Sequence, residues 1–171
     1  TVRPFFLIGG ASGSTLKNLD IRGGGYEPIR IDGSPTNITI QHLKCSNSNG
    51  DWWNYGIYIT GNATNYLIED YIMENIENPY DAIQIAGTSN NVTIDKVRII
   101  QGPGTSGMGM RFIGVATNVA ITNCYIGLDA QESTDGGDRG IRFETNVSGL
   151  TMTNDTIYES DVYGVEVIGT L

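Results

Sequence analysis

The stretch Asp81-Ala82-Ile83-Gln84-Ile85-Ala86-Gly87-Thr88-Ser89-Asn90-Asn91-Val92-Thr93-Ile94-Asp95-Lys96-Val97-Arg98-Ile99-Ile100 holds three short alternating runs separated by polar turns. Apolar residues stand at 83 and 85, at 92 and 94, and at 97 and 99. A period of two puts one face of an extended strand inward and the other outward, and no 3.6-residue period competes with it, so helix is excluded. Strands this short cannot bury an apolar face alone. They need copies of themselves.

The copies lie on both sides of that stretch. Pro28-Ile29-Arg30-Ile31, Gly56-Ile57-Tyr58-Ile59, Gly109-Met110-Arg111-Phe112, Gly140-Ile141-Arg142-Phe143 and Gly164-Val165-Glu166-Val167 match its first run, with Phe5-Phe6-Leu7-Ile8 a weaker seventh copy. First apolar positions are spaced by 23, 28, 26, 27, 31 and 24 residues. Second runs follow at Asn37–Ile40, Asn65–Ile68, Asn118–Ile121 and Gly149–Met152, and third runs supply Leu43 and Cys45, Tyr71 and Met73, or Cys124 and Ile126. Stacking such coils about 4.8 Å apart gives each strand parallel partners above and below and fuses the inward rows into one core. The repeat therefore predicts an all-β, single-stranded right-handed parallel β-helix (a β-solenoid) of about six coils of 23–31 residues. Residues 1–171 form one domain, each coil carrying three short strands.

Asn37, Asn65, Asn91 and Asn118 recur at one turn, where amide side chains can bond to the same residue one coil away. An asparagine ladder is expected there. Asp155 occupies the row that holds Leu43, Tyr71, Val97 and Cys124, so either the last coil shifts register or a polar corner replaces the core. His42 shares a polar row with Asn18, Asp70, Lys96, Asn123 and Asn154 and reads as an exposed turn residue rather than a catalyst.

A net charge of −9 excludes nucleic acid as a partner, because phosphate neutralisation needs clustered Lys and Arg. No run of eighteen apolar residues is present, so no membrane span is expected. Thr1-Val2-Arg3-Pro4 reads like the start of a mature or trimmed chain, and no capping helix is legible at either end, which leaves coil ends for self-association or a trimer. Cys45 and Cys124 fall on apolar rows and are expected as buried free thiols. Two of five Asn-x-Ser/Thr sequons (Asn37, Asn62, Asn91, Asn146, Asn154) coincide with the asparagine row, which weakens them as glycosylation signals.

Coil length varies between the third run and the next first run: Ser46 to Tyr55, Glu74 to Asp81, Gln101 to Gly107 and Gly127 to Arg139. Variable loops on a rigid scaffold are the usual home of binding residues. Beside them the outward row of the first strand reads Arg30, Tyr58, Gln84, Arg111, Arg142, Glu166. Two accounts stay open: an intramolecular charge ladder in which Asp32, Glu144 and Glu166 offset the arginines, or a groove for an acidic or polar ligand. Tyr26, Trp52, Trp53, Tyr55, Tyr58, Tyr80 and Tyr163 fall on or just before this strand, and flat amphipathic rings are what sugar rings stack against. Packing of Trp52 and Trp53 over their own loop base is the alternative.

In successive coils the chain carries Asn54-Tyr55-Gly56, Tyr80-Asp81, Gly107-Met108-Gly109 and Gly140-Ile141-Arg142-Phe143-Glu144-Thr145. With the coil pattern over nearly the whole chain, this resembles the pectate lyase and polygalacturonase superfamily. The closest local matches are to polygalacturonase-type glycoside hydrolases, in which Asn-Thr-Asp-Gly, Asp-Asp, Gly-His-Gly and Arg-Ile-Lys occupy these coils. The resemblance implies Asp81 as a catalytic carboxyl and Arg142 as a substrate-carboxylate arginine. It departs from the family where Tyr80 replaces the first aspartate of the pair, Met108 the histidine and Glu144 the lysine. Inverting hydrolysis needs two carboxyl groups roughly 6.5–9.5 Å apart, and Asp138, two coils from Asp81, is the candidate second. Asp129, Glu132, Asp135 and Asp138 form an acidic loop that reads either as solvated surface or as a weak Ca²⁺ site; no other cofactor is implied.

Two functions follow as expectations. The first is an extracellular or virion-surface polysaccharide-binding β-helix, tailspike-like, with cleavage of an acidic polysaccharide as a divergent hydrolase or lyase as its extension. Its ligand-binding residues would be Arg30, Tyr58, Gln84, Arg111, Arg142, Trp52, Trp53, Tyr55 and Tyr80. The second is a structural solenoid (adhesin, spike shaft or filament subunit) without activity.

Overall fold

The computed structural model describes residues 5–7, 9–22, 27–46, 55–76, 80–101, 107–127, 139–158 and 163–171. They form a parallel β-solenoid of strands numbered in chain order. The first strands are β1 (Phe5–Leu7), β2 (Thr15–Arg22), β3 (Ile29–Ile31), β4 (Thr36–Ser46), β5 (Tyr55–Ile59) and β6 (Ala63–Ile76). The middle of the chain supplies β7 (Asp81–Ile85), β8 (Ser89–Asp95), β9 (Arg98–Gln101), β10 (Met108–Phe112), β11 (Ala116–Thr122) and β12 (Tyr125–Gly127). The last are β13 (Arg139–Phe143), β14 (Val147–Ser148), β15 (Thr151–Thr153), β16 (Thr156–Tyr158) and β17 (Tyr163–Val167). Helix among the described residues is limited to a single 3₁₀ turn, Gly9–Ala11.

The first runs stack as one seven-stranded parallel sheet in the order β1-β3-β5-β7-β10-β13-β17. Its register superimposes Ile29, Ile57, Ile83, Met110 and Ile141, and beside them Ile31, Ile59, Ile85, Phe112 and Phe143. All ten are at most 1% exposed. The Phe112 and Phe143 rings stack with centroids 4.6 Å apart. Truncating one such residue to Ala would remove about 2–5 kcal/mol, because the coils on either side cannot collapse onto the gap.

Second and third runs were expected as separate strands. Instead they share one ten-stranded sheet, fused outright in β2, β4 and β6 and split by two residues elsewhere. The joint is the polar row: Asn18, His42, Asp70, Lys96, Asn123 and Asn154 all have φ between 51° and 58°. One residue in the left-handed region turns the strand without breaking its ladder, and Asn, Asp and His tolerate that region best. The asparagine row makes the other corner in the same way, with φ of 52–58° at Asn37, Asn65, Asn91 and Asn118. There Nδ2 of Asn65, Asn91 and Asn118 donates to Oδ1 of the preceding asparagine at 2.9, 3.1 and 3.2 Å. Glycine makes the third corner. A Cβ on Gly61 would lie 1.3 Å from the Gly33 carbonyl oxygen, so the coils approach there closer than any side chain permits.

The expected coil count comes down from about six to about four. Seven first runs do stack, but the core is sealed only from β3 to β14, where Ile141, Phe143 and Val147 are still buried; beyond it Leu150, Met152 and Ile157 are half-buried and Val165 is 41% exposed. Asp155 does not shift the register, since Thr122 pairs with Thr153 and Tyr125 with Thr156 on either side of it. Its Oδ1 accepts from the Cys124 amide at 2.9 Å, so a polar corner replaces the core. Cys45 and Cys124 are buried free thiols, and burial pushes the Cys45 thiol up to about 12.

Candidate functional site

The outer face of the seven-stranded sheet carries the expected row in register: Arg30, Tyr58, Gln84, Arg111, Arg142, Glu166. A second column runs beside it. Tyr55, Asp81, Met108, Arg139 and Tyr163 pair coil to coil, and the pairing skips the small residue that follows each. At Gly56 an added Cβ would stand 2.5 Å from the Tyr71 hydroxyl and 2.6 Å from Met73 Sδ, so this position faces into the solenoid. Two successive inward positions reset the alternation, as a bulge does, and residues three apart come to share the outer face. Glu27, two residues before Ile29, begins this column.

The columns meet in three zones. At the first, Arg30 Nε donates to Asp32 Oδ1 at 2.8 Å, its Nη1 lies 3.5 Å from Glu27 Oε1, and its guanidinium sits 5.2 Å from the Tyr58 ring centroid. Thr60 Oγ1 also donates to Asp32 Oδ1, at 2.8 Å. Next comes an aromatic platform: Tyr55 stacks on Tyr58 at 4.4 Å and 18°, and Tyr80 on Tyr55 at 6.1 Å and 29°. Tyr80 is 59% exposed, while Tyr55 and Tyr58 are half-buried.

Asp81 lies under the platform, 1% exposed. Its Oδ1 accepts from the Met108 amide at 3.2 Å; Oδ2 stands 3.8 Å from Arg111 Nη1 and has no hydrogen-bond partner among the described residues. Burial pushes the Asp81 carboxyl up to about 7, against the pull of Arg111 and the Met108 amide. The same burial raises the Tyr55 phenol, and the Asp81 charge adds to it. Gln84 is buried as well, so the row is interrupted there rather than open along its length.

The third zone is ionic. Arg111 donates through Nε and Nη2 to Glu144 Oε1 at 2.9 and 2.5 Å. Arg142 Nε lies 3.7 Å from the same oxygen and 3.2 Å from Glu166 Oε2, which Arg139 Nε approaches at 2.7 Å. Of these, only the Arg111 contacts have hydrogen-bond direction; Arg139 Nε, Arg142 Nε and Glu166 Oε2 are close ion contacts with poor angles. Each arginine on the face has a carboxylate within 4 Å, so the contacts of a charge ladder are present along this row.

Trp52 and Trp53 lie outside the described residues, as do Asp129, Glu132, Asp135 and Asp138, so the proposed Asp81–Asp138 pair and the acidic loop receive no geometry. Among the described residues no group of three or more His, Cys, Asp and Glu could hold a metal ion. His42 sits on the other sheet, exposed, with Nδ1 2.6 Å from Asp70 Oδ2. Sequence reading missed Arg139 and Glu27 as members of the face. The repeated small residue at 56, 82, 109, 140 and 164 was the available signal, because it marks where strict alternation fails.

Comparison with protein-family models, with curated proteins and with solved structures finds no match for this chain. The likeness to pectate lyases and polygalacturonases thus rests on the coil pattern and the degenerate motifs alone.

Proposed function

We propose that the chain binds a polysaccharide along the outer face of the seven-stranded sheet, on an extracellular, cell or virion surface. The observation that carries this reading is the stacked Tyr55, Tyr58 and Tyr80 platform set over a buried carboxyl, Asp81. Aromatic faces take the C–H face of a sugar ring, and phenol, carboxylate and guanidinium edges take its hydroxyls. Three tyrosines from two adjacent coils, two half-buried and one exposed, contribute little to the core, which is complete without them.

The test is affinity electrophoresis through gels containing polysaccharide. A Tyr55→Ala/Tyr58→Ala variant should lose about tenfold in affinity, the equivalent of roughly 1.4 kcal/mol. Unchanged retardation in a folded double variant would count against the platform. Arg111→Ala and Arg142→Ala should weaken binding less, since both side chains are already engaged.

Cleavage is a further part of the proposal. A carboxyl held protonated near neutral pH suits a general acid, and Asp138 is the candidate base. Reducing-sugar release that persists undiminished in Asp81→Asn and Asp138→Asn would remove that pair.

A second reading, a structural rod, is favoured by the last coil. Met152, Ile157 and Val165 line an open hollow of about 360 Å³ at its end, with Ile168 exposed close by in sequence. Apolar strand edges of this kind invite further β-pairing. Concentration-dependent end-to-end association in sedimentation, without sugar binding, would favour this reading.

A further inference from the structure

We infer that the polymer this face accepts is uncharged, a hydroxyl-rich neutral glycan rather than an acidic one. The inference rests on the polysaccharide reading and goes beyond it by choosing the substrate class. It comes from where the arginines spend their charge.

Arginines in a row look like a receptor for uronate or sulfate groups, and sequence alone left that open. The geometry closes it. Arg30 is held by Asp32 and Glu27, Arg111 by Glu144 and Asp81, and Arg139 and Arg142 share Glu166. Even leaving out Asp81, whose burial favours its neutral form, four arginines meet four carboxylates, and the face has no positive surplus to offer. An incoming uronate would have to displace Glu144 from Arg111, leaving that half-buried glutamate with only the longer 3.7 Å contact to Arg142, so the exchange of one carboxylate for another gains little.

Longer-range charge points the same way. The segments that lead into the strands of this face, 47–54, 77–79, 102–106, 128–138 and 159–162, hold eight Asp and Glu and not one Lys or Arg. Negative charge on segments joined in sequence to this face disfavours the approach of an anionic partner. What remains on offer suits an uncharged sugar: stacked rings for its apolar face, and Asp81 Oδ2, buried beneath the platform without a hydrogen bond, as an acceptor for a hydroxyl that reaches it.

The deciding experiment runs the full chain through gels containing neutral polymers (a β-glucan, a galactan and a mannan) and acidic ones (polygalacturonate and alginate). Each is run at about 0.02 M and about 0.5 M salt, which spans the screening range, and the acidic gels are repeated with Ca²⁺. Expected are retardation by at least one neutral polymer, a Kd that changes less than about twofold with salt, and none by polygalacturonate or alginate. A Glu144→Gln/Glu166→Gln variant should gain polygalacturonate binding at low salt, because Arg111 and Arg142 are then freed; its circular dichroism must match the parent for this arm to count. Polyuronate binding by the parent chain tighter than to every neutral polymer, with or without Ca²⁺, overturns the inference and leaves the polysaccharide reading intact. Retardation by neither kind of polymer overturns both.

Discussion

Two of the polar rows that run up this solenoid are built in opposite ways. At the asparagine corner one residue type repeats through four coils, and each side chain after the first donates to the one before it. On the outer face of the seven-stranded sheet the row changes from Arg to Tyr to Gln to Arg, with a buried carboxyl that lacks a hydrogen bond on one oxygen. A repeating row answers a problem common to every coil: how to turn the backbone through a left-handed residue and still satisfy its amides. A changing row answers nothing the backbone asks, and burying Asp81 Oδ2 beside it without a hydrogen bond is a cost that the fold alone does not require.

Asp81 should break that comparison most strongly. Its folded carboxyl titrates near 7 against 3.8 for the free group, so its contribution to stability is full below pH 4 and is lost as pH rises through 7. That rise amounts to roughly 4 kcal/mol. Asp81→Asn is therefore expected to gain stability at pH 8 by up to that amount in urea denaturation, with little gain at pH 4, while losing glycan retardation. A variant no more stable than its parent at pH 8 would mean that the carboxyl is better solvated than its burial indicates.

Asn91→Ala tests the opposite row. It removes two inter-coil hydrogen bonds and puts Ala in a left-handed conformation, for a loss of about 2 kcal/mol. Polysaccharide binding by the folded variant should not change. The smallest stability effect belongs to Tyr80→Ala: a residue 59% exposed should cost within about 0.5 kcal/mol, yet weaken retardation. If Tyr80→Ala melts like Asn91→Ala, the platform belongs to the fold rather than to a ligand.

Much of this architecture was legible in the residues. Ile83 and Ile85, Val92 and Ile94, Val97 and Ile99 announce their faces by alternation, because a period of two has one meaning in an extended chain. The asparagine row was legible for a similar reason, since four identical residues at one phase of a repeat point to one backbone task. Less visible was the polar row at His42 and Lys96, which reads as surface turn and proves to be a left-handed joint within a continuous sheet. Arg139 and Glu27 escaped because strict alternation, extended past Gly140 and Pro28, turns them to the wrong side.

The repeat by itself determined that parallel coils stack, which rows fill the core and which strand faces outward, since burying so many short apolar runs has no other economical solution. Partnership among charges was decided only in three dimensions. Whether Arg111 waits for a ligand or is already held by Glu144 depends on side-chain distances of a few ångströms between residues 33 positions apart. No period in the sequence encodes that.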